Sequence, residues 1–365
     1  MSSEEKYLSK LEQRKEVNAL RSLTTVQGLA DFSSNDYLGL ARAVMPPYEV
    51  RSGSGGSRLL TGNYKDIEYL EQRLAEVCNA ESALIFSSGY AANLGILSCL
   101  PQRGDIILYD QLVHASIRDG IRLSNASSYS FQHNDWSDLE SKLQKWSGAS
   151  IHVVLESVYS MDGDSLDIDE IKRLKRKYEF ELIMDEAHSF GLFRDDPFQR
   201  ELGSLATARV VTFGKALGCD GAAVICSKVV RDYLVNFSRP FIYSTAPSPH
   251  KVALIGYQLE QWSELNDLNV SAQTLKRQFE EALLPHYQLI TGSYGNIIGL
   301  VIPGNDEVKY YSGVLKEHGF DVRPILSPTV PMGQERLRIC FHTFNTEQEV
   351  KGMISLLIKL KNKEV

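Results

Sequence analysis

Short apolar runs recur through the first two thirds of the chain, each closed by a polar or glycine-bearing turn and followed by a stretch with helical spacing. Ala83-Leu84-Ile85-Phe86 leads through Ser-Ser-Gly into an alanine-rich segment, Tyr90 to Leu100. Ile106 to Tyr109 precedes another helical stretch. His152 to Glu156 predicts a strand, Ile168 to Tyr178 a helix, Leu182 to Met184 a strand and Ala222 to Cys226 a further strand. Such alternation predicts βαβ units and a largely parallel sheet with helices on both faces.

Upstream, Leu8, Leu11, Val17 and Leu20 fall near helical spacing, so Glu4 to Leu23 is expected to be an amphipathic helix. Asp31 to Leu40 reads as a short strand entering a turn. Arg51 to Gly62 is too rich in glycine for the interior of an element and predicts a loop. Asp66 to Cys78, with its acidic first turn, predicts a helix. Pro247 and Pro249 suggest a boundary before one long helical stretch, Val252 to Leu284, ended by Pro285. The shorter pieces beyond, Ile297 to Ile302, Val314 to Gly319 and Arg338 to Phe341, with a last helix over Glu347 to Leu360, suggest a smaller α+β domain. The expected division is an N-terminal segment 1–45, a large domain 46–246 and a small domain 247–365.

Composition narrows the function classes. At 365 residues the chain exceeds one average core. With 43% hydrophobic and 23% charged residues it has the make-up of a globular protein. A net charge of −7 offers no footprint for nucleic acid or an anionic membrane. No apolar run approaches the roughly 20 residues that span a bilayer, and Met1 to Glu16 lacks the apolar region of a secretory signal. Cys78, Cys99, Cys219, Cys226 and Cys340 are scattered and never in CxxC spacing, which predicts reduced core residues of a cytoplasmic protein and no metal site.

The residue that changes the picture is Lys215. It lies in Val-Val-Thr-Phe-Gly-Lys-Ala-Leu-Gly, just past an apolar strand end, and Leu182-Ile183-Met184 ends upstream in Asp185-Glu186-Ala187-His188. A lysine in a glycine-flanked loop, paired with an aspartate at a strand end, suits pyridoxal 5′-phosphate. The amine can hold the aldehyde as a Schiff base, and the carboxylate can keep the pyridine nitrogen protonated. Ser87-Ser88-Gly89-Tyr90 opens a helix after a strand, where free N–H groups favour a phosphate, although a serine cap alone explains it too. The Asp-Glu-Ala-His run also occurs in ATPases that act on nucleic acid. Those need a G-x-x-x-x-G-K-[ST] loop, and this chain has none. His114 lies where a loop enters a helix and could stack on a planar ring, or be merely structural. Arg336 and Arg338 alternate on one face of a late strand and could clamp a carboxylate, though most such arginines are only solvated.

Taken in order, DFSSNDYLGL, GSGGSRLLTG, SSGYAAN, HAS, ESVYSMDGD, DEAHSFG, TFGKALG, FIYSTAPSP and TVPMGQERLR closely resemble the α-oxoamine synthases, from about Ala19 to about Thr343. The resemblance implies a fold-type I pyridoxal-phosphate transferase, aspartate aminotransferase-like, in which an amino acid condenses with an acyl thioester and carbon dioxide is lost. It implies catalytic roles for Lys215, Asp185, His114 and His188. Asp185 would pair the ring nitrogen, His114 stack on the ring, and His188 with Ser160 hold the ring-hydroxyl region; Glu186 is expected to be structural. Gly89, Tyr90 and Thr212 would bind the phosphate. Ser244 and Thr245 would reach the phosphate in a second copy, implying a homodimer. Arg338 would clamp the amino-acid carboxylate, Thr329 and Arg21 contact the acyl substrate, and Asn35 belong to the substrate-side loop.

Asn18-Ala19-Leu20-Arg21, His133-Asn134-Asp135 and Asp232-Tyr233-Leu234 are similar to the branch that condenses L-alanine with a pimeloyl thioester, carried on CoA or a carrier protein, for biotin. Serine palmitoyltransferase, glycine C-acetyltransferase and 5-aminolevulinate synthase share the core motifs, and a plain aminotransferase of the same fold would share Lys215 and Asp185. Two departures stand out. The segment between Leu40 and Arg51 is short, and the usual Thr-Ala-x-His after Arg338 reads His342-Thr343-Phe344-Asn345.

Overall fold

The computed structural model describes residues 3–23, 25–44, 47–194, 196–265 and 269–364. After a two-residue strand, β1 (Ala30–Asp31), seven strands build one sheet: β2 (Ser82–Phe86), β3 (Ile106–Asp110), β4 (Ser127–Phe131), β5 (Ile151–Glu156), β6 (Glu181–Asp185), β7 (Ala208–Thr212) and β8 (Ala222–Cys226). Their order in space is β2-β8-β7-β6-β5-β3-β4. The pairs β4–β3, β3–β5, β5–β6 and β6–β7 are parallel, and β8 runs antiparallel to both β7 and β2. The apolar runs of the central strands are buried from end to end because helices cover both faces. Leu84, Ile96, Ile117, Val210 and Val224 pack on one side, and Leu108, Leu139, Ile171, Leu182 and Met184 on the other. β4 has no apolar run to announce it. It is the sheet edge, and all its residues but Phe131 are exposed.

This sheet, with its helices, forms one compact unit, Leu38–Ser160 and Ser165–Leu268. The other unit comprises Met1–Tyr37, Met161–Asp164 and Asn269–Val365. In it β9 (Leu289–Thr291), β10 (Ile297–Val301), β12 (Arg323–Ile325) and β13 (Arg336–Cys340) form an antiparallel sheet ordered β12-β13-β10-β9. The helices Val270–Leu283, Asn305–Glu317 and Glu347–Lys361 bury Phe279, Val308 and Met353 with Ile298 and Leu337 of the strands and with Phe341 just past β13. β1 pairs in parallel with β11 (Phe320–Asp321), which brings Phe32 into the same core.

Several elements differ from the sequence expectation. The helix expected over Val252 to Leu284 is two helices, Pro249–Glu264 and Val270–Leu283. Pro249 sits in the first turn of the former, where its missing N–H costs nothing. That helix belongs to the large unit, so the chain divides after residue 268 and not at Pro247: Trp262 donates to the Gly191 carbonyl and Gln258 to that of Leu40. The first helix is shorter than expected, Ser3–Glu16, because Asn18 takes a positive φ of 51° and turns the chain away. The five cysteines are free thiols, and burial pushes Cys78, Cys99, Cys219 and Cys226 up to about 12. Among the described residues no helix is long and apolar enough to cross a membrane.

Candidate active site

In the parallel part of the sheet the strands all end on one edge, and the loops leaving that edge carry the polar residues. Asp185 closes β6, and Glu156 closes β5 directly opposite it in the ladder. Both are buried. Asp185 Oδ1 accepts from the backbone N–H of Ala187 at 2.9 Å, and Oδ2 accepts from Asn93 Nδ2 at 2.7 Å. The same amide nitrogen donates to Ser116 Oγ (2.9 Å), leaving the Ser116 hydroxyl to donate to His114 Nδ1 (2.8 Å). His114 is the N-cap of the helix Ala115–Leu123, and its Nδ1 also accepts from the Ser116 backbone N–H at 3.2 Å. A continuous chain therefore runs Asp185–Asn93–Ser116–His114. It leaves Nε2 as the nitrogen that carries the proton of a neutral ring.

Lys215 follows β7 in a tight turn in which Cys219 N–H donates to the Phe213 carbonyl (2.7 Å) and Gly218 N–H to that of Lys215 (2.9 Å). Gly218 has φ +62° there, and a Cβ would lie 2.1 Å from the Ala41 nitrogen, so only glycine closes this turn. Charge interactions link these groups. Burial lowers the pKa of His114, Asp185 opposes that and Lys215 adds to it. Burial, then the charge of Asp185, holds Glu156 well above the ordinary carboxylate value, and Lys215 pulls the other way. Two adjacent buried acids cannot both ionise cheaply. His188 lies just past β6, buried, and Glu186 beside it forms a buried two-point ion pair with Arg209 (2.5 and 2.9 Å). The structure thus gives Glu186 the structural position expected of it.

Gly89 opens the helix Gly89–Leu97, capped by Ser88, whose side chain accepts from Ala91 N–H at 3.1 Å. A Cβ on Gly89 would come 2.6 Å from the Thr212 methyl, so Thr212 closes directly on the helix N-terminus. Tyr90 is exposed, its hydroxyl donates to Asp119, and its ring meets His114 edge-on at 6.3 Å. Thr245 bridges to Ser57 on the same unit, next to a half-buried Ser244. Ser160 is half-buried in the loop after β5. A buried carboxylate, a planar ring partner, an amine on a rigid turn and a helix N-terminus without a Cβ are the donor set a pyridoxal phosphate requires, and they fit it.

The other unit carries a second polar cluster. Arg338, on β13, is buried. Its Nη2 donates to Asn35 Oδ1 (2.9 Å) and its Nη1 to Cys340 Sγ (3.0 Å). Burial works against its charge, but Cys340 and the buried Tyr37 outweigh that and raise its pKa. Arg336, two residues earlier, is ion-paired to Asp162. The two guanidiniums that alternate along β13 thus have different partners. Arg21 and Thr329 are exposed. Sequence reasoning missed Glu156 and Asn93. An acid ending a wholly apolar strand, and an asparagine inside an alanine-rich helix, were the available signals.

A sheet of this order, gathering Asp185, His114 and Lys215 at one edge, is that of a fold-type I pyridoxal-phosphate enzyme, and the chain belongs to the aminotransferase class I and II family, whose model matches residues 27–355. It is 36% identical over 351 residues to 8-amino-7-oxononanoate synthase of Haemophilus ducreyi, covering 90% of this chain and 91% of that one. It is also 36% identical over 385 residues to the 8-amino-7-oxononanoate synthase of Emericella nidulans, covering 95% and 93%. Among solved structures it resembles Sphingomonas wittichii serine palmitoyltransferase, with TM-score 0.89, 25% identity and coverage of 99% and 98%. It likewise resembles Francisella tularensis 8-amino-7-oxononanoate synthase, with TM-score 0.78, 27% identity and coverage of 92% and 99%. Within the family it stands with the α-oxoamine synthases.

Proposed function

We propose that this pyridoxal-phosphate-dependent acyltransferase condenses L-alanine with a pimeloyl thioester, giving 8-amino-7-oxononanoate, carbon dioxide and the free thiol of CoA or of a carrier protein, for biotin synthesis. The observation that carries the reading is full-length likeness to 8-amino-7-oxononanoate synthases, joined to a buried Asp185 and a turn-held Lys215 on one sheet edge. When bound, the cofactor supplies an electron sink for the charge left on the amino acid's α-carbon. Lys215 is assigned to its aldehyde and, once displaced, to removal of the α-proton. Asp185 is assigned to the ring nitrogen, whose proton its charge retains. His114 presents its flat face to the ring, and Asn93 with Ser116 fixes that face. His188 and Ser160 serve the ring hydroxyl, while Gly89, Tyr90 and Thr212 serve the phosphate. Ser244 and Thr245 are assigned to the phosphate in a second copy, which makes the working form a homodimer. Arg338 takes the amino-acid carboxylate, with Asn35 beside it, and Arg21 and Thr329 take the acyl group.

The likeness to serine palmitoyltransferase supports a second reading, in which serine and a long acyl chain replace alanine and pimelate. Thiol release, measured for alanine, glycine and serine against acetyl-, succinyl-, pimeloyl- and palmitoyl-CoA, separates them. Release peaking with alanine and pimeloyl-CoA is expected. A peak at serine with palmitoyl-CoA would overturn the proposal, as would amino-group transfer to a keto acid without any thioester.

A further inference from the structure

The chain's departure after Arg338, His342-Thr343-Phe344-Asn345, is buried at its two ends and built into a network of its own. Asn345 Oδ1 accepts from the His342 backbone N–H (2.8 Å), and its Nδ2 donates to the Asp31 carbonyl (3.0 Å), which fixes the orientation of the amide. His342 Nδ1 then faces Asn345 Oδ1 at 3.0 Å. On the other side of the ring, Nε2 lies 3.0 Å from the Ser34 carbonyl and 3.2 Å from its hydroxyl. The ring stacks on Phe344 at 4.6 Å, nearly parallel at 8°. Two backbone bonds run alongside, Cys340 N–H to the Phe32 carbonyl (2.8 Å) and Thr343 N–H to that of Tyr37 (3.0 Å). Together they fasten the loop 31–37 to the end of β13. That loop carries Asn35, whose Oδ1 accepts from both Arg338 Nη2 (2.9 Å) and the Tyr37 hydroxyl (3.2 Å).

We infer that His342 and Asn345 are positioning residues for the amino-acid substrate: they clasp the loop 31–37 so that Asn35 holds the Arg338 guanidinium at the orientation that receives the carboxylate. The inference rests on the assignment of Arg338 made above. A guanidinium binds a carboxylate well only when its planar fork is pre-set, because ordering a long side chain at the moment of binding weakens it. A loosened loop therefore weakens capture of the amino acid and spares the acyl thioester.

The test uses the cofactor-loaded enzyme and four variants: Asn345→Ala, His342→Phe (which keeps the ring stacked on Phe344), Asn35→Ala and the double Asn345→Ala/Asn35→Ala. The amino-acid KM is expected to rise about tenfold in each single variant, the scale of one hydrogen bond to a charged group. In Asn345→Ala and His342→Phe the thioester KM and kcat at saturating amino acid stay within about twofold. The double variant should be no worse than Asn35→Ala, since both act through one contact. Amide hydrogen exchange at Ser33, Ser34 and Tyr37 should quicken in Asn345→Ala and His342→Phe. Unchanged amino-acid KM, equal rises for both substrates, additive losses in the double variant or unchanged exchange would each overturn the clasp. Arg338→Lys is the control. An unchanged amino-acid KM there, with quickened exchange in Asn345→Ala, would mean that the carboxylate assignment failed while the loop attachment stood.

Discussion

The surroundings of Lys215 and those of Arg338 are assembled in different ways. The polar groups described around Lys215 leave one edge of the parallel part of the sheet: His114 after β3, Glu156 at the end of β5, Asp185 at the end of β6 and Lys215 after β7. Their side chains are aimed by strand ends and helix caps, so local sequence sets most of their geometry. Arg338 is aimed by Asn35, 303 positions away in the chain, on a loop attached by His342 and Asn345, by backbone bonds to Cys340, Thr343 and Asp321, and by the buried Phe32. The first arrangement resists local change because the sheet cannot shift without unpacking two apolar layers. The second joins segments far apart in the chain, largely through side-chain and backbone hydrogen bonds.

That contrast orders the expected effects of substitution. Lys215→Ala should abolish turnover and the absorbance of the cofactor–lysine adduct while leaving the far-ultraviolet circular dichroism unchanged. Residual turnover above background would place the reacting amine elsewhere. Asp185→Asn should still retain cofactor, but lose at least about 3 kcal/mol of transition-state stabilisation, the scale of removing a key electrostatic group. A kcat/KM near the parent value would show that the carboxylate is not holding a proton on the ring. Arg21→Ala, outside the sheet edge, should raise the KM for pimeloyl thioester and barely move that for alanine, because one end of one substrate loses its partner. Indifference to the acyl terminus in both proteins would move the chain to another branch.

The smallest effect concerns Glu156. Its folded pKa is raised, so above the ordinary value near 4.5 the unfolded chain gives up a proton that the folded one keeps. Stability contributed by this group is therefore full below that value and falls as pH rises toward the folded pKa. Glu156→Gln removes the fall, so the melting temperature of the cofactor-free variant relative to the parent should climb between pH 4 and pH 8, on the order of a few degrees. A difference that stays flat across that range would mean the acid is already ionised in the fold.

How far the sequence could be read follows the same line. Apolar runs ending in polar turns marked β2, β3, β5, β6 and β8 within a residue or so, because a strand buried on both faces has to be apolar throughout. Edge strand β4 escaped notice since exposure leaves Ser127-Ser128-Tyr129-Ser130 without a pattern. The single long helix over Val252 to Leu284 failed because helical spacing continues on both sides of Leu265, and only tertiary packing shows where one helix stops. Lys215, Asp185 and His114 stood out as chemistry at strand and helix ends. Asn93 did not, since it looks like one more small residue of a helix until its amide is seen bridging Asp185 and Ser116. The support of Arg338 by Asn35 and Asn345 was out of reach, as no local pattern records a contact across most of the chain.

The central claim is that the reaction is run from Lys215 at the edge of the parallel sheet, and borohydride reduction tests it most directly. Reduce the cofactor-loaded protein, digest it and map the pyridoxyl label by mass spectrometry. The account predicts a single labelled peptide containing Thr212-Phe213-Gly214-Lys215, absent in Lys215→Ala. Label on any other lysine, or none in a protein that still releases thiol from pimeloyl-CoA, would contradict it.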